Sequence, residues 1–339
     1  KLATSLGTKN ITITFSGFGS QTKYNIVVSA GNAQIVNFEL QPEAKSLKDV
    51  VISIDKNKSA RAADLVTPMS TQKLTSEEIK SNPGGNFDVS KVIQVLPGVS
   101  GGAQANRNDI IVRGGAPNEN VYYLDGIEIP VLNHFQTQGA SGGPRGIITV
   151  DFLKDVDFYS GAFPSDVSGA LSSVFEFHLK QARKDKIGYK AVLGLDDMQL
   201  MADGPLSKDQ SWSGLFSVRK SNLQILFKAI GLPFLPCYFD SQFKISKKYK
   251  SGDELYFIGL GAIDQFKFND KPKETLSNLT TLDRIPKAPQ WNYTVGAGYR
   301  HLVENGTWLF TLSRNILNNE ALKYFRNIEI PENKLIDYK

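Results

Sequence analysis

The sequence predicts a mainly β protein with a small β-sandwich module, an α+β domain and the first strands of a transmembrane antiparallel β-barrel. Alternation predicts the barrel, since in "WNYTVGAGYRHL" every second residue is apolar, namely Trp291, Tyr293, Val295, Ala297 and Tyr299. Turn lengths agree, because tight turns at "KSGD" and "VENG" alternate with long connections at residues 222–236 and 268–290. Strands with one apolar and one polar face, joined by short turns at one end and long loops at the other, are typical of outer-membrane barrels.

Three further segments repeat the alternation: "SWSGLFSVRKS", "CYFDSQFKISKKY" and the stretch that holds Trp308, Phe310 and Leu312. We count about six barrel-like strands between Tyr189 and Arg314. A barrel that encloses a folded domain needs about 22 strands, and an open sheet edge is unstable in lipid. The chain is therefore expected to be the N-terminal part of a larger protein. A water-soluble β-sandwich is the alternative for the same pattern.

Composition limits the functional classes. The 339 residues suffice for two or more domains, and 41% hydrophobic with 22% charged residues describes a globular chain. Basic and acidic residues are interleaved at a net charge of only +5, so no nucleic-acid partner is predicted. No run of about 18 apolar residues occurs, so no transmembrane helix is predicted.

Candidate metal ligands are few. Cys237 is the only cysteine, which excludes an internal disulfide and a site of several thiolates. His134, His178 and His301 are far apart in sequence and lack ligand spacing. They are therefore predicted to be structural or interfacial, and neither a metal site nor a cofactor is predicted.

The N-terminal residues 9–40 predict a small antiparallel sandwich. In "ITITFSGFGSQ" apolar residues alternate with polar ones as far as Gly17 and Gly19, and Gly31-Asn32 is a good turn between two later short strands. Residues 41–76 form a polar connector with one apolar stretch, "LKDVVISI". That stretch is either the last strand of the N-terminal module or a segment to which a partner adds a strand.

The middle of the chain predicts an α+β domain, roughly from Thr67 to Lys180. A first helix begins at "TSEEI", where Thr75 or Ser76 is the N-cap. A second short helix in "DVSKVIQVLPGV" ends at Pro97-Gly98 and has a single apolar face, formed by Val89, Val92, Ile93 and Leu96. Short strands and turns follow.

Residues 110–130, "IIVRGGAPNENVYYLDGIEIP", resemble the plug domain of TonB-dependent outer-membrane receptors. These plugs typically carry a strand with Arg-Gly, a short gap, and a strand ending in Asp-Gly. "VIQVLPGV" is similar to their early helix, and residues 150–180 are similar to their closing segment, although Ser168-Gly169-Ala170-Leu171 stands where the family more often has two glycines. The plug-motif residues by this resemblance are Arg113, Gly114, Gly115, Asp125, Gly126, Gly161 and Gly169.

The N-terminal piece resembles the carboxypeptidase-D regulatory-like module that precedes plugs in Bacteroidota receptors. By the same likeness, the segment "DVVIS" falls at the position of the TonB box and comprises Asp49, Val50, Val51, Ile52 and Ser53. The implied domains are residues 1–46 for the module, 47–66 for the linker with this segment, 67–183 for the plug and 184–339 for the incomplete barrel.

The resemblance implies import of a ligand through a plugged barrel, driven by a TonB-like energy-coupling protein in the periplasm. It places the barrel in the outer membrane among lipids, the N-terminal module in the periplasm, and leaves room for a surface lipoprotein lid. Arg113 would pair with the inward barrel face or form an ordinary surface salt bridge. The long segments 133–146 and 268–290 are the best candidates for ligand contacts, although no ligand residue is predicted.

Two other functions fit the sequence less well. A phosphate cradle at "VRGGAPNEN" lacks the Lys-Ser/Thr that should follow its glycines, and a strand follows it instead of a helix. Catalysis is not predicted, because Asp125-Gly126 is a turn signal and the nearby acids lack a histidine partner. The alternative that remains is a non-transporting component of an outer-membrane secretion or surface assembly.

Overall fold

The computed structural model describes residues 7–16, 18–28, 36–40, 71–82, 88–101, 108–136, 142–143, 145–164, 167–269, 271–303 and 306–338. The chain divides into two compact units, Lys1–Ser59 and Ala60–Lys339. The TonB-box-like segment from Asp49 to Ser53 lies outside the described residues.

The first unit contains one antiparallel hairpin, formed by β1 (Gly7–Phe15) and β2 (Phe18–Val28). Phe15 pairs with Phe18, and their rings lie 5.6 Å apart. The chain therefore reverses between Phe15 and Phe18, where the sequence predicted one strand continuing to Gly19. A predicted later strand is also wrong where it is described, because residues 36–40 have no strand structure. The predicted turn at Gly31-Asn32 lies outside the described residues.

The second unit begins with the α+β domain, which we define as residues 71–182. Its elements are β3 (Thr71–Thr75), α1 (Ser76–Ser81), α2 (Val89–Ile93), β4 (Val99–Gly101), β5 (Ile110–Val112), β6 (Asn120–Leu124), β7 (Ile127–Ile129), β8 (Leu153–Tyr159) and β9 (Ser173–Leu179). Five strands form one sheet in the order β3-β8-β9-β6-β7, in which only β6 and β9 are parallel, and β4 pairs with β5.

Both predicted helices of this domain are confirmed. Thr75 is the N-cap of α1 and forms a capping box with Glu78, whose backbone N–H donates to the threonine hydroxyl. Asp88 caps α2 by accepting from the Ser90 backbone N–H at 3.0 Å. The predicted apolar residues are buried in a core shared with the five-stranded sheet, namely Val89, Val92, Ile93 and Leu96. However, α2 ends at Ile93, before the predicted stop at Pro97-Gly98, so Leu96 lies in the turn that follows the helix.

A seven-stranded antiparallel sheet follows, with every strand beside its neighbour in sequence. Its strands are β10 (Gly188–Leu193), β11 (Asp197–Pro205), β12 (Trp212–Ser221), β13 (Phe234–Lys248), β14 (Glu254–Phe268), β15 (Gln290–Val303) and β16 (Gly306–Asn319). Helices α3 (Leu223–Ala229) and α4 (Leu276–Arg284) lie in two of the long connections. The count of six strands was too low by one; β10 and β11 are separated by only three residues and are easily read as one strand.

The two faces of this sheet differ as the alternation predicts. Side chains on the inner face are polar and buried, for example Arg219, Asp240, Gln242 and Thr294. Side chains on the outer face are apolar and exposed, for example Phe216, Phe239, Trp291 and Val295. Among the described residues, no helix is long and apolar enough to cross a membrane.

A hairpin of β17 (Ala321–Tyr324) and β18 (Lys334–Tyr338) ends the described chain. Buried Lys323 donates from Nζ to the Leu282 carbonyl at 2.8 Å, and so caps the C-terminal end of α4. Burial lowers the pKa of Lys323, although the nearby charge of Asp283 opposes this effect. The hairpin and α4 therefore belong to one loop structure at the long-connection end of the sheet.

Candidate functional site: a buried polar interface

The α+β domain packs against the inner, polar face of the seven-stranded sheet, and glycines on β15 permit the close approach. A Cβ atom at Gly296 would lie 2.5 Å from Ile127 Cδ1. A Cβ atom at Gly298 would lie 2.1 Å from the Tyr256 ring. Neither distance is possible for real atoms, so these two positions need glycine to admit β7 and Tyr256.

The Asp125-Gly126 turn is the part of the α+β domain most firmly tied to the sheet. Both residues have positive φ, 49° and 81°, and they join the paired residues Leu124 and Ile127. Positive φ at both positions of a two-residue hairpin is the geometry that Asp-Gly favours. The predicted turn is thus confirmed, and it aims the Asp125 side chain toward β13.

Asp125 contacts the sheet through three atoms. Its Oδ2 accepts from Lys244 Nζ at 2.8 Å, and its backbone carbonyl accepts from the Tyr256 hydroxyl at 2.6 Å. Its Oδ1 accepts from the backbone N–H of Leu179 at 3.0 Å, which fixes the carboxylate within its own domain. Asp125 and Lys244 are both about 6% exposed, so each charge is compensated mainly by the other.

A neutral contact lies beside this ion pair. The backbone N–H of Thr149 donates to Gln242 Oε1 at 2.9 Å, and Gln199 Nε2 donates to the hydroxyls of Thr149 and Ser217 at 3.0 and 2.8 Å. Strands β11, β12 and β13 each contribute one of these polar side chains. The inner face therefore recognises the α+β domain by hydrogen bonds, not by apolar packing alone.

His134 lies between two carboxylates of the sheet. Its Nδ1 is 2.7 Å from Asp264 Oδ1 and its Nε2 is 3.0 Å from Asp240 Oδ2, and the ring is 0% exposed. Carboxylates only accept, so an imidazolium donating from both nitrogens satisfies both contacts. Burial alone lowers the pKa of His134, but the charge of Asp264 and the hydrogen bonds to Asp240 and Asp264 outweigh it and raise the pKa.

Two arginines complete this cluster. Arg219 donates from Nε to Asp240 at 2.8 Å and from Nη2 to the Gly146 carbonyl at 2.6 Å. Arg145 donates to Asp197 at 2.6 Å, and Asp197 also accepts from the Tyr238 hydroxyl at 2.9 Å. The Tyr238 ring stacks on His134 with centroids 4.0 Å apart.

Asp196, whose side chain is 33% exposed, lies 3.2 Å from Arg145 at the edge of the cluster. Among the remaining groups, the charges balance only when the histidine is protonated. Three carboxylates, Asp197, Asp240 and Asp264, then face three cations, His134, Arg145 and Arg219. His134 and Arg145 come from the α+β domain, and the other four residues come from the sheet. We call these six residues the charge latch, because they join the two parts through opposite charges.

The charge latch is connected to the core of the α+β domain through Asp88. Its Oδ2 accepts from the Gly146 backbone N–H at 2.8 Å, while its Oδ1 caps α2 through Ser90. Gly146 is also the residue whose carbonyl Arg219 contacts. A shift of the 133–146 segment would therefore disturb both the latch and the N-terminus of α2.

A second polar cluster lies on the five-stranded sheet. Asp155, Asp157 and His178 bring three ligand-type atoms within 4.8 Å of one another, which is close enough for a metal ion. However, Lys73 Nζ lies 3.4 Å from Asp155 and 3.3 Å from Asp157. The ammonium already supplies the positive charge, so we interpret the cluster as a clamp between β3, β8 and β9.

The pKa values of His178 and Asp155 in this second cluster are shifted by the charged groups around them. Burial alone lowers the pKa of His178, but hydrogen bonds to Asp155 and Glu176 raise it to about 9. Burial alone raises the pKa of Asp155, while the hydrogen bond from His178 and the charge of Lys73 lower it overall. Both pKa shifts favour a protonated His178 beside an ionised Asp155.

The predicted motif residues around Arg113 form turns inside the α+β domain. Arg113 and Gly114 have φ of 49° and 82°, and the Gly115 N–H donates to the Val112 carbonyl at 2.9 Å. A Cβ atom at Gly115 would lie 2.4 Å from Ser172 Oγ, and one at Gly161 would lie 3.1 Å from Arg113 Nη1. Gly169 also has positive φ, 76°. These residues shape the loops at this end of the domain.

Arg113 itself is exposed. Within the described residues, the ion pairs between the α+β domain and the sheet involve other residues, among them Asp125, His134 and Arg145. The expected role of Arg113 stays a prediction.

Sequence reasoning missed the charge latch because no spacing in the sequence relates His134 to Asp240 or Asp264. The alternation showed that these acids point inward, but it did not show what they meet.

The two long segments chosen for ligand contacts have different structures. Segment 133–146 is closed by a bridge between Asn133 and Gly146 and carries both latch residues of the α+β domain. Segment 268–290 carries α4 and approaches the first segment through Gln290, whose Nε2 donates to the Gln136 carbonyl. Both segments therefore meet at the long-connection end of the sheet.

Comparisons with known proteins agree with this arrangement. Residues 64–173 match the family model described as the TonB-dependent Receptor Plug Domain. No curated protein sequence matches the chain. That description names a domain of receptors, which agrees with the prediction that the chain is not an enzyme.

Three solved structures show the same fold. A mutant of the ferric enterobactin receptor PfeA from Pseudomonas aeruginosa is similar at 16% identity and a TM-score of 0.54, over 80% of this chain and 44% of that one. The pyoverdine receptor FpvA from the same species, bound to pyoverdine, has 15% identity and a TM-score of 0.53, over 76% and 38%. The outer membrane transporter YddB from Escherichia coli has 12% identity and a TM-score of 0.52, over 74% and 39%. The chain thus spans less than half the length of these proteins.

Proposed function

We propose that this chain is part of a TonB-dependent outer-membrane importer whose α+β domain blocks a β-barrel until an energy-coupling protein pulls on it. One observation carries the proposal: the α+β domain covers the polar face of the sheet and leaves the apolar face outward. That is the arrangement expected when lipid surrounds the barrel and the domain fills its interior.

The polar contacts between the α+β domain and the sheet are compatible with movement of that domain. Its contacts include hydrogen bonds and ion pairs such as Asp125 with Lys244, and water can replace these when the domain moves. An interface made mainly of apolar side chains would instead expose them to water on opening. The polar groups left on the inner face would then line the path of a ligand.

The orientation in the membrane follows from the turns. Short turns join β11 to β12 and β13 to β14, while the connections that carry α3 and α4 are longer. Outer-membrane barrels have short periplasmic turns and longer extracellular loops. We therefore assign the short-turn end to the periplasm and the charge latch, near the long connections, to the extracellular side of the α+β domain.

Energy coupling is assigned to the segment with Asp49, Val50, Val51, Ile52 and Ser53. An extended, β-prone segment can pair with a strand of the partner through backbone hydrogen bonds. It precedes β3, the edge strand of the five-stranded sheet, so a pull on it is transmitted first to the β3–β8 pairing. The division at residues 46, 66 and 183, the regulatory-like module and its periplasmic location stay predictions.

The test replaces residues 47–54 of the full-length receptor with a Gly/Ser stretch of equal length. Enterobactin and pyoverdine, loaded with radioactive iron, serve as first probes because similar receptors are named for or bound to them. Binding to cells at low temperature and uptake into energised cells are measured separately. We expect binding to persist and uptake to fall to background.

A matched control replaces residues 56–63, which have the same length and lie between that segment and the matched family region. Uptake should survive this change. If replacement of residues 47–54 has no effect while uptake occurs, the energy-coupling assignment is wrong. If neither probe is taken up, energy coupling is tested without an import assay, by photo-crosslinking from position 51 to the periplasmic domain of a TonB protein. Failure to crosslink would favour the non-transporting assembly component.

A further inference from the structure

One lysine lies on the outward, apolar face of the sheet at its short-turn end. Lys247 on β13 follows Phe243 and Ile245 at intervals of two residues, and these three side chains share a face. The residues between them, including Lys244 and Ser246, are buried on the inner face. A charge on the outward face is costly in lipid unless it lies at the level of the headgroups.

Aromatic residues surround Lys247 and mark that level. Its Nζ lies 5.4 Å from the centroid of the Trp212 ring and 5.0 Å from that of Tyr249. Trp212 and Lys247 are paired on neighbouring strands, and the same row continues across the next three strands with Leu255, Tyr299 and Phe310. Tyr249 also packs edge-on against Tyr299 at 6.4 Å. Such a row is typical of the interface between hydrocarbon and headgroups.

The same turn carries positive charge that the protein does not neutralise. Lys248 and Lys250 are exposed beside Lys247, and none of the three ammonium groups forms an ion pair with a described residue. The neighbouring carboxylate of Asp253 is already engaged, since it accepts from the Leu302 N–H and contacts His301. The backbone hydrogen bond to Leu302 is the largest of the effects that lower the pKa of Asp253 to about 2.

We propose that this turn binds the headgroup of an anionic glycerophospholipid in the periplasmic leaflet, with Lys247 contacting the phosphate and the outward apolar strand residues contacting the acyl chains. The inference rests on the proposed membrane orientation. A soluble anion would use only the lysines, whereas a phospholipid complements both the charges and the adjoining apolar surface. The two rings hold the Lys247 ammonium at the depth where a lipid phosphate lies.

The size of the effect can be anticipated. A lysine near an anionic membrane surface contributes about 1 kcal/mol, which is about fivefold in affinity. Neutralising Lys247 and Lys250 together is therefore expected to weaken retention of an anionic lipid by more than tenfold. The variant K247Q/K250Q removes both charges and keeps a polar, flexible side chain at each position.

The test uses the full-length receptor in nanodiscs of phosphatidylcholine mixed with a minority of phosphatidylglycerol. Lipids that remain bound after transfer to detergent are counted by native mass spectrometry. We expect the wild-type protein to retain phosphatidylglycerol in preference to phosphatidylcholine, and K247Q/K250Q to lose this preference. The control K220Q/K228Q removes the same charge at the long-connection end, from β12 and α3, and should behave as wild type.

Other outcomes overturn the proposal. Equal retention of both lipids by the wild type, or equal loss in both double variants, would mean that no specific site exists at this turn. Displacement of the lipid by glycerol phosphate alone would indicate a simple anion site. Heat-dependent gel mobility shows beforehand that each variant is folded. Absence of a lipid preference in a wild-type receptor that imports normally refutes only this site, whereas a wild-type preference without uptake refutes only the import function.

Discussion

At the scale of single residues, the charge of His134 decides whether the charge latch is stable. Replacing it with glutamine leaves Asp240 and Asp264 buried with a neutral partner, and breaking a buried ion pair in this way costs about 3–5 kcal/mol. We expect His134→Gln to lower the thermal midpoint of the purified full-length receptor strongly. His301→Gln is the control, because His301 is exposed, and it should change the midpoint little.

The protonation of His134 also predicts that the stability of the receptor depends on pH. The pKa of His134 is raised in the folded protein above its ordinary value of 6.5. Its stabilisation is therefore complete below pH 6.5 and is lost as the pH rises through the folded-state pKa. The arginines keep their charge in this range, so the part of the loss that His134 contributes should disappear in His134→Gln, while the part that His178 contributes remains. A pH profile of that variant that parallels the wild type would contradict this assignment.

Asp125 and Lys244 are expected to act as a unit. Lys244→Met leaves the Asp125 carboxylate buried without its cation and should cost about 3–5 kcal/mol. Adding Asp125→Asn to that variant should restore part of the loss, because no unpaired charge remains. Chemical denaturation of the two single variants and the double variant gives the coupling directly. The exposed pair Lys334 and Asp337 is the control, with an expected coupling of about 0–1 kcal/mol. Additive losses at Asp125 and Lys244 would refute the coupling of this buried ion pair.

At the scale of elements, the clamp of Lys73, Asp155 and His178 holds the edge strand β3 to β8 and β9. The pKa of His178 is raised from 6.5 to about 9, so its contribution is present below pH 6.5 and is lost as the pH rises to about 9. The shift corresponds to a stabilisation on the order of 3 kcal/mol. Since β3 follows the proposed energy-coupling segment, this clamp sets the resistance of the first strand to a pull.

The measurement is hydrogen exchange of the β3 backbone between pH 6.5 and 9, corrected for intrinsic exchange. Protection of β3 should fall across this range in the wild type and be low throughout in His178→Gln. The β6–β7 hairpin lies at the opposite edge of the five-stranded sheet and serves as the internal reference. A similar loss of protection in both strands would indicate global opening and not release of the clamp.

At the scale of the whole molecule, the proposed membrane location predicts that the outward apolar face lies in lipid. Val295 is 43% exposed near the middle of β15, and Val303 is 42% exposed at its short-turn end. Arginine in the middle of a lipid-facing strand costs about 2–4 kcal/mol, and near the interface about 0–1 kcal/mol. Val295→Arg should therefore destabilise the receptor in lipid vesicles far more than Val303→Arg, as measured by denaturant unfolding. Equal costs would contradict the membrane orientation.

The sequence by itself determined the local features of this protein. Alternation assigned the inner and outer faces of β12, β13 and β15, because the side-chain period of a strand is two wherever one face is buried. Thr75, the apolar face of α2 and the Asp125-Gly126 turn were also predictable, since caps, helix faces and two-residue turns depend on residues a few positions apart. The first hairpin was misread because Gly17 and Gly19 fit both a strand end and a tight reversal.

Only the tertiary structure decided which distant charges meet. His134 and Asp264 are 130 positions apart, and Asp125 and Lys244 are 119 apart. No periodicity links such residues, because their approach depends on how the α+β domain packs against the sheet. The same holds for Gly296, whose requirement for glycine comes from Ile127 across the interface. Gly298 makes room for the Tyr256 ring of the neighbouring strand β14. The polar inner face was thus predictable from sequence, while its pairing into a latch was not.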